Sequence, residues 1–274
     1  MNKEVKMSRQ LIMAATAAEA AEAKNAASAF LAGGTETERL GSLVHADTLI
    51  FLKNIPGLGE IEDSGEFLKI GSICTFEKAM ESSLVPDYLK TALAFMGSRT
   101  KRNMATVGGN ISIFRCDSYI VPTLIAAGAK LELLDASGGR DIVCMERYAE
   151  EREKYKDCLI TALLLTKEPV TVISKRYANT AESHACLTVS MGKCGSRLRI
   201  GAAVKNSGIF TLKELAAKME QNSSLAEDDI MAWCRSWNGA VIHDDMFGSE
   251  AYKRYLLGVT LTDMYHCIQG GAVQ

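Results

Sequence analysis

Ala105-Thr106-Val107-Gly108-Gly109-Asn110-Ile111, preceded by the basic run Arg99, Lys101 and Arg102, is the stretch on which the reading of this chain turns. Adjacent glycines let a backbone take positive φ and come close to a ligand, and the flanking Thr106 and Asn110 add short hydrogen-bonding side chains. That is the composition of a phosphate cradle. A Gly-Gly pair is as often a plain tight turn, because the same freedom serves turns everywhere. A second copy upstream tips the balance: Leu31-Ala32-Gly33-Gly34-Thr35-Glu36-Thr37 follows a small-residue, strand-like run from Ala29 to Ala32. Two such loops suit the clamping of one diphosphate.

Neither loop has the spacing of a Gly-x-Gly-x-x-Gly dinucleotide fingerprint, and no Gly-x-x-x-x-Gly-Lys-Ser/Thr run is present. A Rossmann domain and a P-loop NTPase are therefore disfavoured. With 274 residues, 47% of them apolar, the chain is long enough for more than one core. Its 31 basic and 33 acidic residues nearly cancel and form no long block of one sign, which argues against a nucleic-acid footprint or a polybasic membrane patch. There is no apolar run approaching the ~20 residues of a spanning helix. The eight cysteines include no Cys-x-x-Cys pair. They read as buried small residues in a reduced, cytoplasmic protein that carries no iron–sulfur cluster or metal of its own. His45, His184, His243 and His266 have no ligand spacing, and His184 reads as an ordinary surface residue.

Taken in order, Ser8 to Ala27 is rich in Ala, Glu and Lys, which predicts a helix with Ser8 as N-cap. Residues Glu36 to Leu43 predict a short helix whose first turn faces the loop, and Thr48 to Leu52 a buried strand. Phe67 to Gly71 predicts a strand, Thr75 a helix cap, and Pro86 the start of a helix ending near Gly97. A helix from Pro122 and a strand from Ala129 to Leu134 follow, with Ser137-Gly138-Gly139 as a hairpin turn. Glu146 to Lys156 reads as an exposed helical run and Cys158 to Thr166 as a buried strand. After Pro169, strands at Val170–Ser174, Leu187–Met191 and Leu198–Val204 predict a three-stranded antiparallel sheet. Helices at Leu212–Met219, Asp228–Trp237 and Ser249–Ile268 are expected to pack on it, with Trp233 and Trp237 as core anchors.

Ala32-Gly33-Gly34-Thr35 and Arg102-Asn103-Met104-Ala105-Thr106-Val107-Gly108-Gly109-Asn110 together resemble the two flavin-holding loops of one family, the FAD-binding (medium) subunits of molybdenum hydroxylases of xanthine dehydrogenase and carbon monoxide dehydrogenase type. The closing segment Ser249 to Leu256 resembles that family's Ser-x-x-Tyr-Arg-Arg. Thr100 and Lys101 depart from its usual pattern while Arg102 and Asn103 agree. Aligning Asn110 and Pro122 puts Ser118 on the family's serine and Tyr119 where its aspartate stands, with Asp117 displaced by one.

The resemblance implies an α+β protein. Residues 1–57 and 58–168 would form a two-subdomain FAD-binding fold like that of vanillyl-alcohol oxidase, and residues 169–274 a small α+β C-terminal domain. It implies FAD as cofactor, with Leu31, Ala32, Gly33, Gly34, Thr35, Glu36, Thr37, Ala105, Thr106, Gly108, Gly109, Asn110 and Ser118 around it, and no catalytic side chain. It implies partners too: an iron–sulfur subunit delivering electrons from a molybdopterin subunit, with NAD as a common acceptor. Two other readings stay open, a flavin-dependent oxidoreductase acting alone and an assembly subunit that has lost the flavin.

Overall fold

The computed structural model describes residues 9–39, 42, 44–222 and 225–270. The chain begins with strand β1 (Gln10–Met13), helix α1 (Ala17–Glu22), β2 (Ser28–Leu31) and β3 (Thr48–Phe51), which form a parallel sheet in the order β1-β3-β2. Here the expected helix over 8–27 is replaced by a strand and a six-residue helix. Leu11, Ile12 and Met13 pair with Leu49, Ile50 and Phe51, so sheet pairing overrides the helical propensity of the region. Thr16 caps α1 by accepting from Glu19 N–H at 3.1 Å; Ser8 lies outside the described residues. Residues 35–38 form a turn rather than the start of a helix, and Leu40 and Leu43 lie outside the described residues.

Next come β4 (Ile61–Asp63), β5 (Phe67–Gly71), α2 (Phe76–Glu81), α3 (Asp87–Ala94), α4 (Arg99–Arg102), α5 (Val107–Ile113) and α6 (Val121–Ala126). They are followed by β6 (Lys130–Leu134), β7 (Arg140–Cys144), α7 (Met145–Glu150), α8 (Arg152–Tyr155) and β8 (Leu159–Thr166). The strands build an antiparallel sheet, β4-β5-β8-β6-β7, with Ser137 to Gly139 turning the β6–β7 hairpin. Ile70, Phe76, Leu89, Leu93, Ile111, Leu124 and Leu163 join in its core. The expected exposed helix over 146–156 is two short helices, and it is not wholly exposed: Tyr148 and Tyr155 are buried and stacked at 5.9 Å.

The remainder is β9 (Thr171–Ala178), β10 (Ala185–Cys194), β11 (Arg197–Val204), β12 (Gly208–Thr211), α9 (Lys213–Gln221), α10 (Glu227–Ser236) and α11 (Glu250–Gln269). Its antiparallel sheet has four strands, β12-β11-β10-β9, not three. The added strand is short, opens on a glycine and pairs only at the β11 edge, so no long alternating run announces it. The three helices pack on this sheet through Leu187, Ile200, Leu215, Ile230, Leu257 and Leu261. Trp233 and Trp237 stack at 5.7 Å against that core, with Phe210 edge-on to Trp237. Among the described residues no helix is long and apolar enough to cross a membrane.

Helix α6 ties the last two sheets together. Its Thr123 hydroxyl lies 2.8 Å from Ser174 Oγ and 3.1 Å from Ser190 Oγ, and those two are 2.8 Å from each other, a ring of hydroxyls that satisfies every member. The segments that follow β2, β5 and β9 reach one cleft.

Candidate functional site

Both glycine segments lie on one cleft of about 780 Å³ at the junction of the three sheets. Ala32, Gly33, Gly34, Thr35, Glu36 and Thr37 line one side, and Ala105, Thr106, Gly108, Gly109, Asn110 and Ser118 another. Leu31 does not reach it: it ends β2, and its carbonyl accepts from Leu52 N–H at 3.0 Å. Ser72, Ile73, Tyr148, Arg152, Leu159, Ile160, Glu182 and His184 are also part of the lining.

The two segments touch each other. A Cβ built on Gly33 would sit 1.6 Å from the Met104 carbonyl oxygen, so only glycine lets the first loop lie against the second. Gly34 takes φ 73°. Among the described residues, the backbone N–H groups of Gly33, Gly34, Thr35, Glu36 and Thr37 have no hydrogen-bond partner within the protein. Thr37 Oγ1 and Ser72 Oγ, both on the cleft, are likewise buried without one. A run of unsatisfied donors and hydroxyls is costly unless a ligand or water meets it.

The second segment works differently from the sequence expectation. Gly108 and Gly109 have no positive φ; they form the first turn of α5, capped by Thr106, whose Oγ1 accepts from Gly109 N–H at 3.1 Å. Gly108 N–H donates to Ser72 O at 2.7 Å, and a Cβ there would stand 2.6 Å from Ser72 Cβ, so this glycine seats the helix on the end of β5. Val107 and Asn110 N–H groups are engaged as well. Ser118 is 1% exposed; its hydroxyl donates to Asn110 Oδ1 at 2.9 Å and accepts from Val121 N–H. It therefore fixes the Asn110 amide and leaves Asn110 Nδ2 as the donor to the cleft.

The basic run before this turn acts as scaffold. Arg102 Nε donates to Glu77 at 2.7 Å and its Nη1 to the carbonyls of Met96 and Gly97, which holds α4 and the turn behind it. Hydrogen bonding from Arg102 pulls the Glu77 carboxyl below its ordinary value. Lys101 alone of the three borders the cleft, paired with Glu182 at 3.0 Å.

Sequence reasoning missed an ionic cluster across the cleft. Arg115 reaches Glu36 of the first loop at 3.3 Å and Asp117 at 2.9 Å. Asp117 also receives Lys205 Nζ at 2.7 Å and His184 Nδ1 at 2.5 Å, both from the third sheet and its loop. Burial alone would raise the Asp117 carboxyl, but the hydrogen bonds from Arg115 and Lys205 outweigh it and hold the group well below the ordinary carboxylate range. The one local signal was Arg115 two residues before Asp117; the other partners are 67 to 88 positions away by number, beyond any motif. Over the whole lining, Lys24, Arg39, Lys101, Arg115, Arg152 and Lys156 face Glu36, Asp117 and Glu182, an excess of positive charge.

Comparison with known proteins follows the same outline. Residues 6–166 match the family described as the FAD binding domain in molybdopterin dehydrogenase. The uncharacterized protein YgfM of Escherichia coli (strain K12) is 26% identical over 243 residues, 88% of this chain and 88% of that one. A chain of quinoline 2-oxidoreductase from Pseudomonas putida 86 superposes with a TM-score of 0.80 at 17% identity, covering 97% of this chain and 99% of that chain. Reconstituted CO dehydrogenase from Oligotropha carboxidovorans gives a TM-score of 0.79 at 19% identity, over 93% and 96%. At these identities the likeness to the solved structures is one of fold.

Proposed function

Because this chain belongs to the family of FAD-binding domains of molybdopterin dehydrogenases, we propose that it is the FAD-carrying, electron-transferring subunit of a molybdenum hydroxylase complex of the xanthine dehydrogenase kind. An iron–sulfur subunit would supply electrons drawn from a molybdopterin subunit, and an external acceptor such as NAD would take them away. The observation that carries the reading is the row of unpartnered N–H groups from Gly33 to Thr37, in a loop that lines a cleft with an excess of positive charge.

The residues fit a dinucleotide. Its diphosphate needs several donors close together, and the first loop has five consecutive backbone N–H groups without a partner. Thr37 Oγ1 and Ser72 Oγ, buried and unsatisfied, gain a partner when such a ligand is present. The cleft lies within the common size range of cofactor sites, ~300–1,000 Å³. When bound, the flavin supplies exchange of one and of two electrons. This chain's own contribution is placement: Gly33 to Thr37 bind, Thr106 shapes the turn, Ser118 orients Asn110, and Arg115 holds Glu36 out of the anion's way at 3.3 Å. Tyr148, Leu159 and Ile160 give the cleft an apolar wall that sheds water from a planar ring.

Titrating the apoprotein with FAD and with FMN tests this. FAD is expected to bind at least about tenfold more tightly, since FMN lacks the second phosphate the loop would hold, a difference of ~1.4 kcal/mol. Equal affinity would remove the diphosphate from the account.

A further inference from the structure

The Asp117–His184 contact crosses from the segment between α5 and α6 to the loop between β9 and β10, and the sequence attaches no role to it. Asp117 is all but enclosed, with a side chain 3% exposed, whereas the His184 side chain is 47% exposed and lines the cleft. A carboxylate oxygen 2.5 Å from Nδ1 restrains the imidazole on that side and leaves Nε2 as the acid–base atom on the other. Nε2 has no partner among the described residues. Other charges stand around the pair. Lys205 and Arg115 share Asp117, at 2.7 and 2.9 Å. Glu182 and Lys101 pair on the rim at 3.0 Å, and Arg176 of β9 donates to the Ser183 carbonyl while lying 5.6 Å over the Tyr119 ring. Glu36 faces the cluster through Arg115. Arg115 and Lys205 together balance Asp117 and Glu36, so Asp117 has fixed cationic partners besides His184.

We propose that His184, held by Asp117, is a proton-coupled group of this cleft, binding a proton as the flavin gains electrons and releasing it as the flavin loses them. The inference rests on the FAD reading above. Electrons come from a reduced iron–sulfur protein, which is oxidised; the proton comes from water, and an N–H bond forms at Nε2. The coupling is electrostatic: negative charge arriving in the cleft favours the imidazolium, and by linkage the imidazolium makes electron gain easier. The step runs backwards, with the N–H bond broken and the proton returned to water, when an acceptor removes the electrons.

The test is the midpoint potential of bound FAD against pH, from about 5.5 to 8.5, in wild type and in His184→Gln, with the protons taken up on reduction counted in weak buffer. His184 is half exposed, so the variant is expected to fold and to retain FAD. Wild type should show a break in slope that His184→Gln lacks, and should take up as much as about one proton more per FAD reduced. Superimposable curves and equal proton counts, with FAD bound in both, would overturn the proposal while leaving the FAD reading standing. A folded wild-type chain that binds no FAD would overturn both.

Discussion

Replacing one hydrogen of Gly33 by a methyl group would set a carbon 1.6 Å from the Met104 carbonyl oxygen, a distance no relaxation of a single side chain can relieve. The two loops must then part. Gly33→Ala is expected to cost about 3 kcal/mol by overpacking and to lower FAD content, both read from a urea titration and the flavin absorbance of the purified variant. Asp117 makes a different demand. Its carboxyl is held below the ordinary range, so it contributes stability at neutral pH that is lost as pH falls below the unfolded value near ~3.9 towards the folded one. Asp117→Asn should flatten the acid limb of the stability curve below about pH 4, and Asp117→Ala, which strands Lys205 and Arg115, should cost ~3–5 kcal/mol at neutral pH. Unfolding curves between about pH 2 and 7 would separate the two. The role of Gly33 was legible in the sequence, but that of Asp117 was not beyond the nearby Arg115, because Lys205 and His184 reach it only when the end of β11 and the loop before β10 fold over it.

At the scale of the element, Thr106 carries the most. As N-cap of α5 it turns a sequence that looks like a flexible glycine loop into the first turn of a helix. Thr106→Ala is expected to cost ~1 kcal/mol and Thr106→Ser far less, measured as thermal or urea midpoints. The Thr-x-x-Gly pattern gave no capping box, and two helix-disfavouring glycines argued for a loop; packing of Gly108 on Ser72 decided otherwise. Strong local signals did succeed elsewhere. Thr75 caps α2, Pro86 opens α3, Ser137 to Gly139 turn a hairpin, and the closing helix was legible almost to its ends. Failures came where a partner strand decides: β1 lies in an Ala-rich region but pairs with β3, and β12 is four residues long. The buried cysteines follow from packing too. Burial pushes the Cys74 and Cys234 thiols up to about 11 and about 12. Both should resist alkylation at neutral pH in the folded chain, while exposed Cys267 reacts first; mass mapping after a brief iodoacetamide pulse checks this.

Across the whole molecule, the first two sheets and the loop between β9 and β10 of the third line one cleft. The pair of glycine motifs made that convergence legible at a distance, because two segments more than sixty residues apart share one composition, although the first offers free N–H groups and the second forms a capped helical turn. The ionic cluster and the contribution of the C-terminal sheet were not legible, since they depend on contacts between units. Among the described residues no group of three or more His, Cys, Asp or Glu is arranged to hold a metal. On the proposed subunit role, the purified chain by itself is expected not to hydroxylate purines or other heterocycles; turnover of xanthine by it alone would contradict that role. The most direct measurement is the absorbance spectrum of the purified chain from about 300 to 600 nm, with the chromophore then released and identified. We expect the bands of an oxidised flavin, about one per chain, released as FAD. A correctly folded chain that stays colourless after incubation with FAD would contradict the account at its centre.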